Sequence, residues 1–180
     1  MVRWAVYTVV LAFAFVVPGV EAGPERLADI DTKLRRQYPG LDHIDAESLA
    51  AKLSAGAPVL LLDARSQREF DAGHLPGAIR VSPRAVSRAV TALVGNRARG
   101  AEIVMYCSVG VRSARLANRI ESTLTTAGAT RVANLEGGIF NWHNNGRPIM
   151  TTDGATDTVH PYNRAWGQML RAPVKVGDEG

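Results

Sequence analysis

Two short apolar runs constrain this chain most: VLLLDA from Val59 to Ala64, and EIVMY from Glu102 to Tyr106. Each has the length of a strand, and neither alternates apolar with polar residues. A strand with one wet face shows that alternation, so both are predicted to be covered on each face, as in a parallel sheet clad by helices. TRVANL, from Thr130 to Leu135, predicts a further strand, and GHLPGAIRV, from Gly73 to Val81, a turn into a brief one. The intervening apolar spacing is helical. Leu27, Ile30, Leu34 and Tyr38 mark a helix over 24–38, with Pro24 in its first turn, and Asp45 caps a second that carries Leu49 and Leu53. Ser66 with Glu69 three residues later is a capping box opening a short helix. Residues 83–94 predict another helix, and 95–100 a loop. Residues 114–124 follow as a helix with Leu116, Ile120 and Leu124 on one face, and residues 139–145, with Trp142 as core or pocket wall, as the last. Strands and helices alternate, which predicts an α/β fold with a mainly parallel central sheet flanked by helices and right-handed crossovers.

The ends of the chain differ from this middle. Arg3 precedes a charge-free run from Ala5 to Val17, broken by Pro18-Gly19 and followed by Val20-Glu21-Ala22. That order predicts a secretory signal peptide over residues 1–22, and so a periplasmic or secreted protein. The run is shorter than the roughly 20 residues of a stable transmembrane helix, so no membrane span is expected after processing. Residues 23–43 are then an N-terminal helix and lead-in, and 44–150 the domain. Residues 151–180 are an extension: TTDGATDT reads as loop, Tyr162, Trp166 and Leu170 recur every fourth residue as in a small helix packed on the domain, and VKVGDEG is a polar tail. The net charge of +4 is carried by dispersed arginines, without a block of five like charges, so small anions rather than nucleic acid are the expected partners. One cysteine and four dispersed histidines (His43, His74, His143, His160) offer no ligand spacing, so no metal or cofactor is expected.

That single cysteine, Cys107, ends the EIVMY strand and opens CSVGVRS, with a helix expected to start near Arg112-Ser113. In open α/β sheets ligands sit beyond the carboxyl ends of the strands, at such junctions. Gly110 permits a sharp turn in which successive N–H groups face inward as an anion-binding concavity. The thiolate is the nucleophilic form of a cysteine, and inward amides with a helix N-terminus favour negative charge, so no histidine base is required. The same cradle suits a persulfide with an anionic terminal sulfur, and Arg112 adds planar donors for a sulfonate-like group. Cys107 is therefore the expected catalytic residue, with Ser108, Val109, Gly110, Val111, Arg112 and Ser113 binding substrate.

CSVGVRS resembles the active-site loop of the rhodanese family. Asp63-Ala64-Arg65 with Glu69-Phe70, then GHLPGAI, then LEGGIFNW are similar to the family's recurrent segments and stand in its order, covering about Ile44 to Pro148. The resemblance implies a three-layer rhodanese-like domain and a thiosulfate-type sulfurtransferase. In such an enzyme Cys107 takes sulfur from a small anionic donor and passes it to cyanide, a thiol or a protein acceptor. Cys107 to Arg112 has the CX4R length of sulfurtransferases, one residue shorter than the related phosphatase loop, which disfavours phosphatase chemistry. Ser108, Val109 and Val111 are neutral where loops suited to thiosulfate often carry extra basic residues, which leaves the donor open. Asp63 and Arg65 are expected to tie loops together beside the site, and His74 to make a turn hydrogen bond there. The alternative function is a non-enzymatic sulfur carrier or protein-binding module on the same fold.

Overall fold

The computed structural model describes residues 26–171. The leader at 1–22, Pro24 and the polar tail from 172 lie outside the described residues. Five strands, β1 (Asp42–Ile44), β2 (Val59–Asp63), β3 (Ile79–Arg80), β4 (Glu102–Tyr106) and β5 (Arg131–Leu135), form one sheet. Its order is β1-β5-β4-β2-β3, and every neighbouring pair is parallel. All five residues of β4 are buried, as its unbroken apolar run requires of a central strand. Leu60 pairs with Ile103 and Leu62 with Met105, so β2 and β4 share one apolar slab.

The helices α1 (Leu27–Gln37), α2 (Ala46–Ser54), α3 (Gln67–Asp71), α4 (Ser87–Val94), α5 (Val111–Thr126) and α6 (Gly138–Asn144) flank that sheet. Helix α5 packs on β4 and β5 and also touches α4 and α1. Its buried stripe contains Leu116, Ile120 and Leu124, as the spacing predicts. The predicted caps form: the Asp45 carboxylate accepts from the Ser48 N–H at 2.7 Å, and Ser66 and Glu69 satisfy each other's backbone N–H groups at the start of α3. Trp142 is buried, its Nε1 donating to the Pro148 carbonyl at 2.9 Å.

Four local expectations are corrected. Helix α4 begins at Ser87 rather than Pro83, because Val86 is extended and the Pro83 and Ala85 carbonyls accept from the Arg119 guanidinium instead of from a helical turn. The 95–100 loop contains a 3₁₀ turn, Gly95–Ala98. The lead-in is not only helix: its last residues form β1, which pairs with β5. TTDGATDT is not loop: β6 (Ile149–Thr151) and β7 (Gly154–Thr156) form an antiparallel hairpin, and Met150 bridges to His74. Three-residue strands carry too few positions to show a period. The expected helix in the extension is α7 (Arg164–Gly167), capped by the Asn163 side chain.

No described helix is long and apolar enough to cross a membrane. Because the main strands all run the same way, the segments leaving β2, β4 and β5 gather along one edge of the sheet, the usual address of a site in such folds. Those segments carry Arg65, Cys107 and Gly137.

Candidate active site

Cys107 follows the last residue of β4, and Gly110 caps α5 with φ of 90°. That left-handed turn is open to glycine, and a side chain there would meet the Asn134 amide and the Leu135 carbonyl. Helix α5 starts at Val111, one residue earlier than expected.

The orientation of the loop is set from the other side. The N–H groups of Ile139 and Phe140, in the first turn of α6, donate to the carbonyls of Cys107 and Ser108 at 2.9 and 3.1 Å. The Gly110 carbonyl accepts from the Ala114 N–H and the Ser113 hydroxyl. With these carbonyls engaged, the N–H groups of Ser108 to Ser113 find no acceptor among the described residues. A run of free amides beside one sulfur is an anion-binding arrangement. Close approach of α6 depends on Gly137 and Gly138, both at positive φ; a Cβ on Gly138 would collide with the Cys107 and Ser108 carbonyls. Asp31 of α1 accepts from the Gly137 N–H at 2.9 Å, and burial pushes its carboxyl up to about 6 despite that bond.

The predicted loop residues do not all face the same way. Ser113 is buried and points its hydroxyl to Gly110 and Asn134, so it supports the turn, and Val109 is buried in the core. Val111 and Arg112 line an open groove. The Arg112 guanidinium, expected to offer planar donors to a sulfonate-like group, uses them within the protein: its Nη1 and Nη2 donate to the Glu69 carboxylate at 2.9 and 2.6 Å, and Nη2 donates to the Ser108 hydroxyl at 2.9 Å. Ser108 in turn donates to Glu69 at 3.0 Å. Cys107 also acts on Arg112; burial lowers the guanidinium's pKa, but Glu69 and Cys107 together leave it raised. Its Nε has no partner. Cys107 itself has 0% of its surface exposed, with the α6 turn packed against its carbonyl, so the expected catalytic sulfur is closed off in this state.

Of the expected supporting residues, Asp63 and Arg65 form a fully buried pair. Arg65 Nε and Nη2 donate to Asp63 at 2.8–3.1 Å, and Nη2 also donates to the Gly73 carbonyl at 2.6 Å, tying the β2 end to the GHLPG turn. Arg65 Nη1 is buried without a partner, and the residue is one of those lining the groove beside Arg112. His74 is not brought to the loop: its ring stacks on Phe70 at 3.9 Å, and its Nδ1 lies 3.0 Å from the Phe70 carbonyl. Among the described residues no group of His, Cys, Asp and Glu forms a metal cluster.

Glu69 is the residue the sequence assigned too small a role. It is both the capping-box acid and the counter-ion of Arg112, and a capping pattern does not reveal the second duty. Burial raises its carboxyl, but hydrogen bonds from Arg112 and Ser66 outweigh this and hold it at about 2. A depressed carboxylate stabilises the fold fully above its unfolded value of 4.5, and the contribution is lost as pH falls through about 2. Glu69→Gln is expected to cost about 3 kcal/mol near pH 7. In urea denaturation the gap between wild type and variant should close as pH falls from 5 to 2; a gap independent of pH would contradict the pairing.

Residues 45–145 match the family described as rhodanese-like domain. A sulfurtransferase of Allochromatium vinosum is 32% identical over 63% of this chain and 99% of its own length. A tRNA uridine(34) hydroxylase of Listeria monocytogenes is 35% identical over 48% of this chain, but only 26% of its length is covered. Among solved structures, a thiosulfate sulfurtransferase of Pseudomonas aeruginosa superposes with a TM-score of 0.54 at 22% identity, over 78% of this chain and 26% of that one. The BH2092 protein of Bacillus halodurans does so with a TM-score of 0.52 at 18% identity, over 71% and 87%. These two likenesses concern the fold; the family match and the Allochromatium relative carry more, and on them the chain belongs to the rhodanese-like family, with a sulfurtransferase among its relatives.

Proposed function

We propose that this protein is a sulfurtransferase that moves a sulfane sulfur from thiosulfate or a related donor to a thiophilic acceptor through a persulfide on Cys107. The carrying observation is the set of six N–H groups, Ser108 to Ser113, left free beside the only cysteine. In the first step the Cys107 thiolate attacks the outer sulfur of thiosulfate. The S–S bond of the donor breaks, sulfite leaves with the electron pair, and a cysteine persulfide anion remains. In the second step cyanide or a thiolate attacks the terminal sulfur, and the electron pair returns to Cys107 as thiolate. No proton acceptor is needed once the thiolate is formed, which fits a site whose described surroundings hold no histidine bonded to the loop. The free amides stabilise the negative sulfur in both states.

Arg112 takes part as a positioning residue, since Glu69 balances its charge and Ser108 shares the pair. Attraction of the anionic donor then rests on the amides and on groove cations outside the loop. Cys107 is buried in this state, so the residues covering it must shift for a donor to reach it. That same burial favours a second reading, a sulfur carrier or binding module whose acceptor is a protein. Export to the periplasm or the cell exterior, with removal of residues 1–22, is part of the proposal.

Intact-protein mass spectrometry of material recovered from an exporting host tests the reading. Wild type is expected to begin after about Ala22 and to gain one sulfur on incubation with thiosulfate, which cyanide removes; Cys107→Ser gains none. A stable persulfide that cyanide and small thiols leave in place would select the carrier. Sulfur transfer by Cys107→Ser would remove Cys107 from the reaction.

A further inference from the structure

Beside the loop lies a groove of about 660 Å³ whose walls include Arg80, Arg84, Arg112, Arg115, Arg119 and Tyr162. No carboxylate lines it. Arg112 is balanced by Glu69, and Arg119 is held by the Pro83 and Ala85 carbonyls. Arg80, Arg84 and Arg115 make no ion pair and no side-chain hydrogen bond among the described residues. Three uncompensated guanidinium groups around one concavity repel one another, an arrangement that a bound anion relieves.

An independent feature belongs to the same wall. Arg65 is fully buried, yet its Nη1 has no hydrogen-bond partner. Buried donors are normally satisfied, so a residue that lines the groove keeps one unmet donor, while its guanidinium also stands over the Tyr106 ring at 5.8 Å. The residue above it is also unusual. Tyr162 is the one non-glycine residue at positive φ among those described, 62°, and its ring covers the Arg112 guanidinium at 4.7 Å while resting on Trp166 at 4.6 Å. Tyr162 comes from the extension and lies outside the family match at 45–145.

The volume decides which anion fits. Grooves of this size hold small organic molecules, and thiosulfate is far too small to occupy it. We propose that the groove binds the charged body of an organic thiol or persulfide bearing at least two carboxylate or phosphate groups, with Arg80, Arg84 and Arg115 at the rim and Tyr162 as its roof. This deepens the sulfurtransferase reading and rests on it for the fate of the sulfur, but the binding itself requires no reaction.

S-methylglutathione, a dicarboxylate that cannot exchange sulfur, is the probe, titrated calorimetrically into the mature full chain beside its diethyl ester. The acid is expected to bind at least tenfold more tightly than the ester, and the preference to shrink as salt is raised. In Arg84→Ala/Arg115→Ala the acid-to-ester ratio should fall toward one; Arg84→Gln serves if the double variant does not fold. Equal affinity for acid and ester, or a ratio unchanged in the variants, overturns the proposal, as does binding of an acidic peptide or RNA with no binding of the acid. Since the probe is unreactive, failure of Cys107 to form a persulfide would sink the enzyme reading and leave this measurement standing.

Discussion

The arrangement rests on two backbone hydrogen bonds, from Ile139 and Phe140 in the first turn of α6 to the carbonyls of Cys107 and Ser108. A peptide unit has two polar ends, and anchoring the carbonyl on one side sends the N–H the other way. The grip on those two carbonyls turns away the N–H groups of Ser108 and Val109, and those of Val111 to Ser113 are the unpaired first turn of α5. The grip is possible because Gly138 brings backbone against backbone without a Cβ, and because β4 and β5 are adjacent and parallel, so the segments leaving them emerge side by side.

Charge in the site is arranged with similar economy. Two buried or half-buried pairs, Asp63–Arg65 and Glu69–Arg112, hold the ends of β2 and the start of α5 without leaving net charge at the sulfur. Buried pairs of this kind fix geometry more than they add stability, because desolvation offsets most of their attraction. Two guanidinium nitrogens, Arg65 Nη1 and Arg112 Nε, remain unpartnered there. The uncompensated positive charge stands further out, on Arg80, Arg84 and Arg115.

The sheet was legible in the sequence because VLLLDA and EIVMY are too uniformly apolar to lie on a wet surface, and the structure buries the whole of β4. The loop was legible because a cysteine at a strand end, a glycine and an arginine stand in sequence within six positions. Residues that meet only in space were harder to read. Glu69 looked like a helix cap since its capping contact is local, whereas Arg112 lies 43 positions away. The arginines looked scattered, although Arg112, Arg115 and Arg119 recur at intervals of three and four and so share one face of α5, a signal present in the spacing. Arg80, Arg84 and Tyr162 join that face only through the fold. The burial of Cys107 had no local signature, because the α6 turn packed against it lies some thirty residues further along the chain.

The central claim concerns the amides, and they can be observed one by one. In ¹H–¹⁵N NMR spectra of the protein before and after persulfide formation, the N–H signals of Ser108 to Ser113 should move downfield as the anionic sulfur accepts from them, while Ile139 and Phe140, already bonded, stay in place. A persulfide that leaves those six resonances where they were, or displaces Ile139 and Phe140 instead, would contradict the account.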